Sequence, residues 1–263
     1  MENLQDNQLA FHALKRLYGN KAFTTIQNAK ILIVGIGGVG SWLAEALARS
    51  GIINIDLVDP DEVCVSNINR QILALYSTVG KSKVSVMKAR LKDINPDIKS
   101  QEFQIFFNQD NCQKIITKDY DFVVDAIDTL KNKCVLISEC KKRNLNVITL
   151  GGAAGKKDPS LIKVCDLGKS REDMLLMRLR KKLRRDFNFP KGKKSTFDIP
   201  CVYSEELCLY PTKEGEVCQQ KEKGANLRLD CESGLGSASF ITGTFAFAAS
   251  AYIINHLAKK AQI

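Results

Sequence analysis

The residues with the clearest chemical potential are glycines. Gly35-Ile36-Gly37-Gly38-Val39-Gly40 follows the apolar run from Lys30 and opens a helical stretch from Ser41 to Ser50. A strand, a glycine-rich turn and a helix start in that order form a cradle for phosphate. Glycine lets the backbone approach closely, and the open N–H groups at the helix start supply positive potential. Asp59 ends the next apolar run, Ile52 to Val58, 19 positions after Gly40. A carboxylate there is placed to accept the hydroxyls of a ribose. These residues predict a nucleotide or dinucleotide ligand, and they leave dehydrogenases and ATP-using enzymes both open.

Three further polar stretches narrow the choice: Ser66-Asn67-Ile68-Asn69-Arg70-Gln71, Val79-Gly80-Lys81-Ser82-Lys83 and Asp125-Ala126-Ile127-Asp128-Thr129. With the glycine-rich loop, they resemble the ubiquitin-activating-enzyme superfamily, whose ThiF–MoeB branch includes the bacterial activators of thiamine and molybdopterin biosynthesis. The resemblance covers roughly Arg16 to Gly152. It implies ATP-dependent transfer of AMP onto a carboxylate, in a homodimer. It also implies a nucleotide site of Gly35, Gly37, Gly38, Gly40, Asp59, Asn67, Arg70, Gln71, Lys83 and Asp128. In that scheme Asp59 takes the ribose, Asn67 and Arg70 reach the phosphates, and Arg70 crosses from a second subunit. Elementary chemistry agrees with the residue types. Splitting ATP between its α- and β-phosphates needs cations on the leaving pyrophosphate, which Arg70 and Lys83 supply, and a carboxylate such as Asp128 can hold Mg²⁺.

Within the superfamily, the chain is similar to the tRNA threonylcarbamoyladenosine dehydratases over nearly its whole length. The stretches that carry this likeness are Gly35 to Arg49, Val63 to Ser66, Asn69 to Ile72, Gly151 to Ala153, the basic segment below and Asp230 to Gly236. The likeness implies activation of the threonyl carboxylate of the modified adenosine beside the anticodon, then closure of that side chain into a ring with net loss of water. A nucleophile already within the substrate removes the need for an acyl-carrying cysteine. Cys231, just before Gly234 and Gly236, is the one cysteine in a suggestive setting, against the commoner role of packing. No cysteine pair is spaced Cys-x-x-Cys, so no zinc is expected. The family also suggests a cysteine desulfurase or sulfur-acceptor system as a partner. Two alternatives stay open: an activator of the C-terminus of a small sulfur-carrier protein, and a nicotinamide-dependent oxidoreductase. The latter leaves Arg70, Lys83 and Asp128 unexplained.

The elements that must position these residues alternate between strand and helix. Strands are expected at Lys30–Gly35, Ile52–Val58, Asp121–Ile127, Asn146–Leu150 and Leu161–Asp166. Helices are expected at Leu4–Tyr18, Ser41–Ser50, Lys83–Ile94, Leu130–Arg143 and Arg171–Phe187. Such alternation predicts a Rossmann-like, doubly wound α/β fold around a mainly parallel sheet. Residues 1–263 are read as one adenylating domain, with a basic extension over 156–234 that carries a basic helix, loop and short strands, and a final apolar helix within 235–260.

Composition sets the remaining bounds. The net charge is +10, and Arg178 to Lys194 holds nine basic residues against the single acid Asp186, a local +8. A cluster this dense points to a polyanion, and tRNA fits it, through Lys181, Lys182, Arg184 and Arg185. Phe187 and Phe189 lie inside the window as candidates for stacking on bases or for core. Nine scattered cysteines in a chain of this length suit reduced thiols and a cytoplasmic location. Met1 to Gln8 is polar and no apolar leader follows. His12 and His256 lack any partner pattern for a metal. Leu235 to Ala258 carries no formally charged side chain over 24 positions, long enough to span a bilayer. Its serines, threonines and glycines favour a buried or subunit-interface helix instead.

Overall fold

The structure is a computed structural model that describes residues 9–116, 120–192, 195–220 and 234–261. Cys231, Lys193, Lys194 and the start of the first expected helix lie outside the described residues. Two short helices open the fold, α1 (His12–Tyr18) and α2 (Asn20–Asn28). Gly19, at φ 81°, breaks the chain between them, so α2 is a second helix that the hydrophobic pattern did not separate. Strand β1 (Lys30–Val34), helix α3 (Gly38–Arg49) and strand β2 (Asn54–Val58) follow. Gly51, at φ 83°, closes α3 as its position predicts. Next come α4 (Lys83–Ile94), β3 (Glu102–Phe103), α5 (Cys112–Ile115), β4 (Phe122–Asp125), α6 (Leu130–Lys142) and β5 (Val147–Leu150). The chain ends with β6 (Ile162–Asp166), α7 (Met174–Asp186), β7 (Pro200–Ser204), β8 (Tyr210–Pro211), β9 (Val217–Cys218) and α8 (Ser239–Lys260).

Seven strands form one sheet in the order β3-β2-β1-β4-β5-β7-β6, parallel except for β6, which runs antiparallel to β7. Both faces are covered. Along β1, Ile31 and Ile33 pack towards α2, α3, α4 and α8, while Leu32 and Val34 pack towards α5, α6 and α7. Burial on both faces explains why the central strands read as unbroken apolar runs. Consecutive strands are laid down outward from β1 on one side and then on the other, so the order reverses between β1 and β4. A crevice opens there, at the carboxyl ends of the strands.

Two features differ from the sequence expectation. Residues 156–234 are not merely an appendage, because β6 and β7 complete the main sheet. Strand β7 is one of the short strands expected of the extension, and its bounds were not legible because its surroundings are rich in Lys, Gly and Pro. The final helix begins at Ser239 rather than Leu235, because residues 234–238 form a strap across the crevice, tied by the Gly155 N–H to the Gly236 carbonyl at 2.7 Å. Helix α8 lies along α3 and α2 and buries Ile241, Phe245, Ala249, Ile253 and Leu257. It is long and apolar enough to cross a membrane by composition, and its buried side chains pack against α3, α2 and the sheet, with Phe240 and Phe247 left exposed.

The glycine-rich turn is fixed by contact. A Cβ on Gly40 would lie 1.8 Å from the Gly35 carbonyl oxygen, whereas one on Gly37 would meet nothing within 4 Å. Gly40→Ala is therefore expected to lower unfolding stability by about 2 kcal/mol or more, and Gly37→Ala to change it by less than about 1 kcal/mol. Urea denaturation of the two variants checks this, and equal losses would contradict the packing assigned to the turn.

Candidate active site

The crevice is a cavity of about 1690 Å³. It crosses the carboxyl ends of β2, β1, β4 and β5 and reaches the segment that follows β7. Every residue of the expected nucleotide site except Gly40 lines it. Gly40 lies beneath, against Gly35. Gly35, at φ 97°, is pressed against the turn after β4, where a Cβ would lie 2.6 Å from the Ala126 carbonyl oxygen. Only glycine satisfies both the left-handed backbone and this approach.

Asp59, at the end of β2, is buried and braces the same loop. Its Oδ2 accepts the Ile36 N–H at 2.7 Å and its Oδ1 accepts the Asp61 N–H at 2.9 Å. Burial pushes its pKa up, while nearby Lys83 and the two N–H donors pull it back. Lys83 Nζ sits 2.7 Å from Asp61 Oδ2 and 3.8 Å from Asp59 Oδ1. The expected pyrophosphate cation thus stands at the Asp59 end of the cavity, balancing two carboxylates.

Arg70 occupies the cavity of its own chain. Its Nη1 donates to the Ser66 carbonyl at 2.6 Å and to Asn69 Oδ1 at 3.1 Å, and its Cδ lies 3.7 Å from where a Gly38 Cβ would be. The Arg70 carbonyl accepts from Trp42 Nε1 at 3.1 Å and Thr242 Oγ1 at 3.0 Å. Within this chain the side chain lies beside its own glycine loop. Asn67 is buried and its Oδ1 accepts the Cys64 N–H at 3.1 Å, which closes the turn that carries Arg70. Gln71 is also buried on the cavity wall, and its Oε1 has no donor among the described residues. Buried acceptors of that kind are uncommon.

Asp128 is exposed in the cavity, its Oδ1 accepting the Thr129 hydroxyl at 3.2 Å. What holds it there was missed in the sequence. Lys133, five residues on and fully buried, donates from Nζ to the Ile127 and Leu150 carbonyls, both at 2.9 Å, and pairs with buried Asp125 Oδ2 at 3.0 Å. Asp125 Oδ2 also accepts the Thr149 hydroxyl at 2.7 Å. One lysine in a helix of mixed charge carries no sequence signal of burial; only its spacing from the Asp125–Asp128 pair hints at it.

Beyond β5, Asp173 caps α7. Its Oδ1 accepts the Leu176 N–H and its Oδ2 the Gly152 N–H, both at 2.9 Å. Burial raises its pKa against these two donors and the charges of Lys156 and Lys133. Outside the cavity, Met177, Arg180, Lys181, Arg184, Arg185 and Lys191 line a groove of about 500 Å³. Lys182 is not part of it and pairs with Asp186 at 2.8 Å. Arg184 lies over the Phe197 ring at 5.0 Å and donates to the Pro190 and Gly192 carbonyls, each at 3.1 Å, so part of its role is to fold the following loop. Of the two readings open for Phe187 and Phe189, stacking on bases or core, the structure supports core. Phe189 is buried and stacks on Phe197 at 5.7 Å, and Phe187 packs against the same core.

Removing Lys133 alone would strand the Asp125 carboxylate in the interior. Lys133→Met is expected to lower stability by about 3–5 kcal/mol, with Asp125→Asn in the same chain recovering part of it. Thermal unfolding of the single and double variants measures this; additive losses would show that the pair does not act as a unit.

The chain matches the ThiF family model over residues 9–260. It is 42% identical over 252 residues to the tRNA threonylcarbamoyladenosine dehydratase of Escherichia coli, covering 95% of this chain and 94% of that protein. It is 40% identical over 260 residues to the protein of the same name from Haemophilus influenzae, covering 99% and 97%. Among solved structures, TcdA (CsdL) superposes with a TM-score of 0.90 at 40% identity, over 97% of this chain and 96% of that one. The E. coli dehydratase TcdA in complex with ATP superposes at 0.86 with 39% identity, over 97% and 96%. A probable molybdopterin-synthase adenylyltransferase from Gracilaria tenuistipitata is 32% identical over 140 residues, covering 53% of this chain and 39% of that protein. With its parallel sheet, its glycine-rich crevice and this near full-length likeness, the chain belongs to the ThiF family.

Proposed function

We propose that this protein is an ATP-dependent tRNA threonylcarbamoyladenosine dehydratase. The observation that carries the reading is the continuity of one cavity, from the glycine loop and Asp59 past Asp128 to the base of the basic helix. ATP enters as a substrate on the Gly35–Gly40 loop, with its ribose at Asp59 and its phosphates towards Arg70 and Asp128. A threonyl carboxylate oxygen attacks the α-phosphorus, the α–β bond breaks, and pyrophosphate leaves. A nucleophile within the same side chain then attacks the acyl carbon and loses its proton. AMP departs with the former carboxylate oxygen, so the substrate loses the elements of water. Effective molarities of about 10⁵ M or more are known for well-placed ring closures, which suits a site that offers position rather than an acyl carrier.

Arg70 stabilises charge developing on the phosphates. Asp128 suits Mg²⁺, an ion commonly held by one or two carboxylates together with substrate phosphates, and the ion would neutralise the same charge. A homodimer, a cytoplasmic location and a sulfur-transfer partner belong to this reading by family likeness. Adenylation of a sulfur-carrier protein is the weaker alternative, since it leaves the groove along α7 without a use.

Labelled pyrophosphate should exchange into ATP in the presence of tRNA substrate, and turnover should yield AMP. Steady formation of ADP would overturn adenylation. Asp128→Ala should slow the exchange at least about 10²-fold while leaving the fold intact by circular dichroism.

Asp59 adds a pH dependence. Its raised pKa means that the carboxylate takes up a proton at a higher pH than an ordinary aspartate, with Lys83 and the Ile36 and Asp61 N–H groups opposing the change. Ionised Asp59 costs stability near neutrality, and that cost fades as pH falls through the raised value. Ribose recognition runs the other way, because it needs the ionised acceptor. ATP affinity should therefore fall on acidification before the ordinary aspartate range near 3.9 is reached, and Asp59→Asn should flatten this component of the profile. Identical pH profiles for the two proteins would remove Asp59 from ribose binding.

A further inference from the structure

The cavity is too large for one nucleotide. A site for a single drug-sized ligand occupies roughly 300–1,000 Å³, against about 1690 Å³ here. The strand order shows how the space divides. Asp59 ends β2, the glycine loop follows β1 and Asp128 follows β4, so ATP belongs over these three strands. The cavity continues over Gly151 and Gly152, after β5, to Tyr210 in the segment after β7. From β1 to β7 is three strand spacings, about 14 Å at ~4.8 Å each. That distance separates the phosphate loop from the far wall and leaves room for a second planar group.

The far half has its own chemistry. Tyr210, half-buried, and Arg178, exposed, both line it. Burial and the neighbouring Cys208 thiol raise the pKa of the Tyr210 phenol, and the Arg178 charge opposes them. Lys156 is buried beside them, with its ammonium donating to the Glu206 carbonyl. Arg178 also begins a stripe. Positions 178, 181 and 185 fall on one face of a helix, and Arg178, Lys181 and Arg185 are all exposed, Arg185 also donating to Asp186 Oδ1 at 2.6 Å and Oδ2 at 3.0 Å. Arg178 is in the cavity, while Lys181 and Arg185 are in the outer groove. The stripe is about 10 Å long at 1.5 Å per residue, enough to meet more than one phosphate. Its angle to the cavity is fixed by the Asp173 cap and by Glu172, which holds a left-handed φ of 48° at the turn.

We propose that the half of the cavity over β5 and β7 is the subsite for the target nucleotide of an RNA loop, with its base against Tyr210 and its flanking phosphates on Arg178 and the stripe that continues to Lys181 and Arg185. The proposal rests on the dehydratase reading and deepens it by naming where the acceptor sits. The base is drawn into the cavity from the outer groove, and its carboxylate-bearing arm points back over Gly151 and Gly152 towards Asp128 and the α-phosphate. An extended carrier-protein tail would leave the arginine stripe unmatched, so a nucleic-acid occupant is favoured by the charge.

The probe is an anticodon stem–loop carrying threonylcarbamoyladenosine, compared with the same RNA bearing plain adenosine. Binding is followed by fluorescence anisotropy, and ATP binding is measured in parallel. Tyr210→Ala should weaken binding of the modified stem–loop roughly 5- to 100-fold, the range of a lost base stack, while Tyr210→Phe keeps it. Arg178→Ala should weaken binding and reduce the salt slope by about one. Both alanine variants should bind ATP as the parent does, which shows that the fold is intact, and both should lose RNA-stimulated pyrophosphate exchange. If both bind the modified stem–loop and turn it over normally, while Lys181→Glu with Arg185→Glu abolishes binding, the RNA lies on the groove without entering this half, and the proposal is overturned. If the unaltered protein shows no response to the modified stem–loop, the dehydratase reading itself fails and the subsite falls with it.

Discussion

An ammonium group with no access to water holds the catalytic end of this sheet together. Taking a lysine and a carboxylate out of solvent carries a desolvation cost of several kcal/mol per ion even after relaxation. Lys133 and Asp125 can bear it because their hydrogen-bonding capacity is used. The ammonium meets the Ile127 and Leu150 carbonyls and the Asp125 carboxylate, and that carboxylate also takes the Thr149 hydroxyl and, at 3.3 Å, the Ile127 N–H. The carbonyls come from the ends of β4 and β5, where parallel strands leave acceptors without sheet partners. Lys133 therefore joins two neighbouring strand ends and fixes the turn between Asp125 and Asp128. The same turn presents the Ala126 carbonyl against which Gly35 packs. The phosphate loop and the carboxylate that faces it are thus referred to one buried charge.

Charge along the crevice is graded by the order of the strands. At the β2 end two aspartates face a single lysine, so the region is anionic and hydrogen-bond accepting, as a sugar requires. Around β1 and β4, open backbone and Arg70 meet one exposed carboxylate, a combination that suits phosphate with a divalent ion. Past β5 the walls carry Lys156 and Arg178 together with the carboxylates of Glu172 and Asp173, and cations prevail only in the groove along α7. Each strand contributes a short turn at its carboxyl end, so chemistry that must be adjacent in space comes from residues more than a hundred positions apart. The strap of residues 234–238 closes one side, with Asn69 Nδ2 bound to the Ser237 carbonyl at 2.8 Å.

What was legible in the sequence had a local cause. The glycine loop, Asp59, α4 and α6 were visible because a turn, a strand end or an amphipathic period announces itself within a few residues. Strand β3, two residues long, and β7 had no such signal, since their identity depends on the neighbours they pair with. The basic window was visible as charge, but charge does not say which way a side chain points. Lys182 and Arg185 both pair with Asp186 and Arg184 is committed to a ring and two carbonyls, so only part of the +8 is unmatched. Phe187 and Phe189 looked available because they sit among cations, yet that loop folds back and buries its aromatic side chains. Lys133 and Asp173 were hidden for the opposite reason: single charged residues are ordinary on a surface, and only the fold turns them inward.

Asp173 shows why the extension and the nucleotide site form one device. Its carboxylate reaches Gly152 on one side and the first turn of α7 on the other, and a Cβ on Gly151 would lie 2.1 Å from its Oδ2. The glycine pair after β5, which reads in sequence as the end of a strand, is thereby given a different purpose. It admits a carboxylate, not a phosphate. That carboxylate ties the first turn of the basic helix to the crevice wall, and the buried Leu176, Leu179 and Leu183 hold the rest of the helix against the core. The groove along α7 and the β5 side of the crevice are joined by one buried side chain, bonded to Gly152 on one side and to the first turn of the helix on the other.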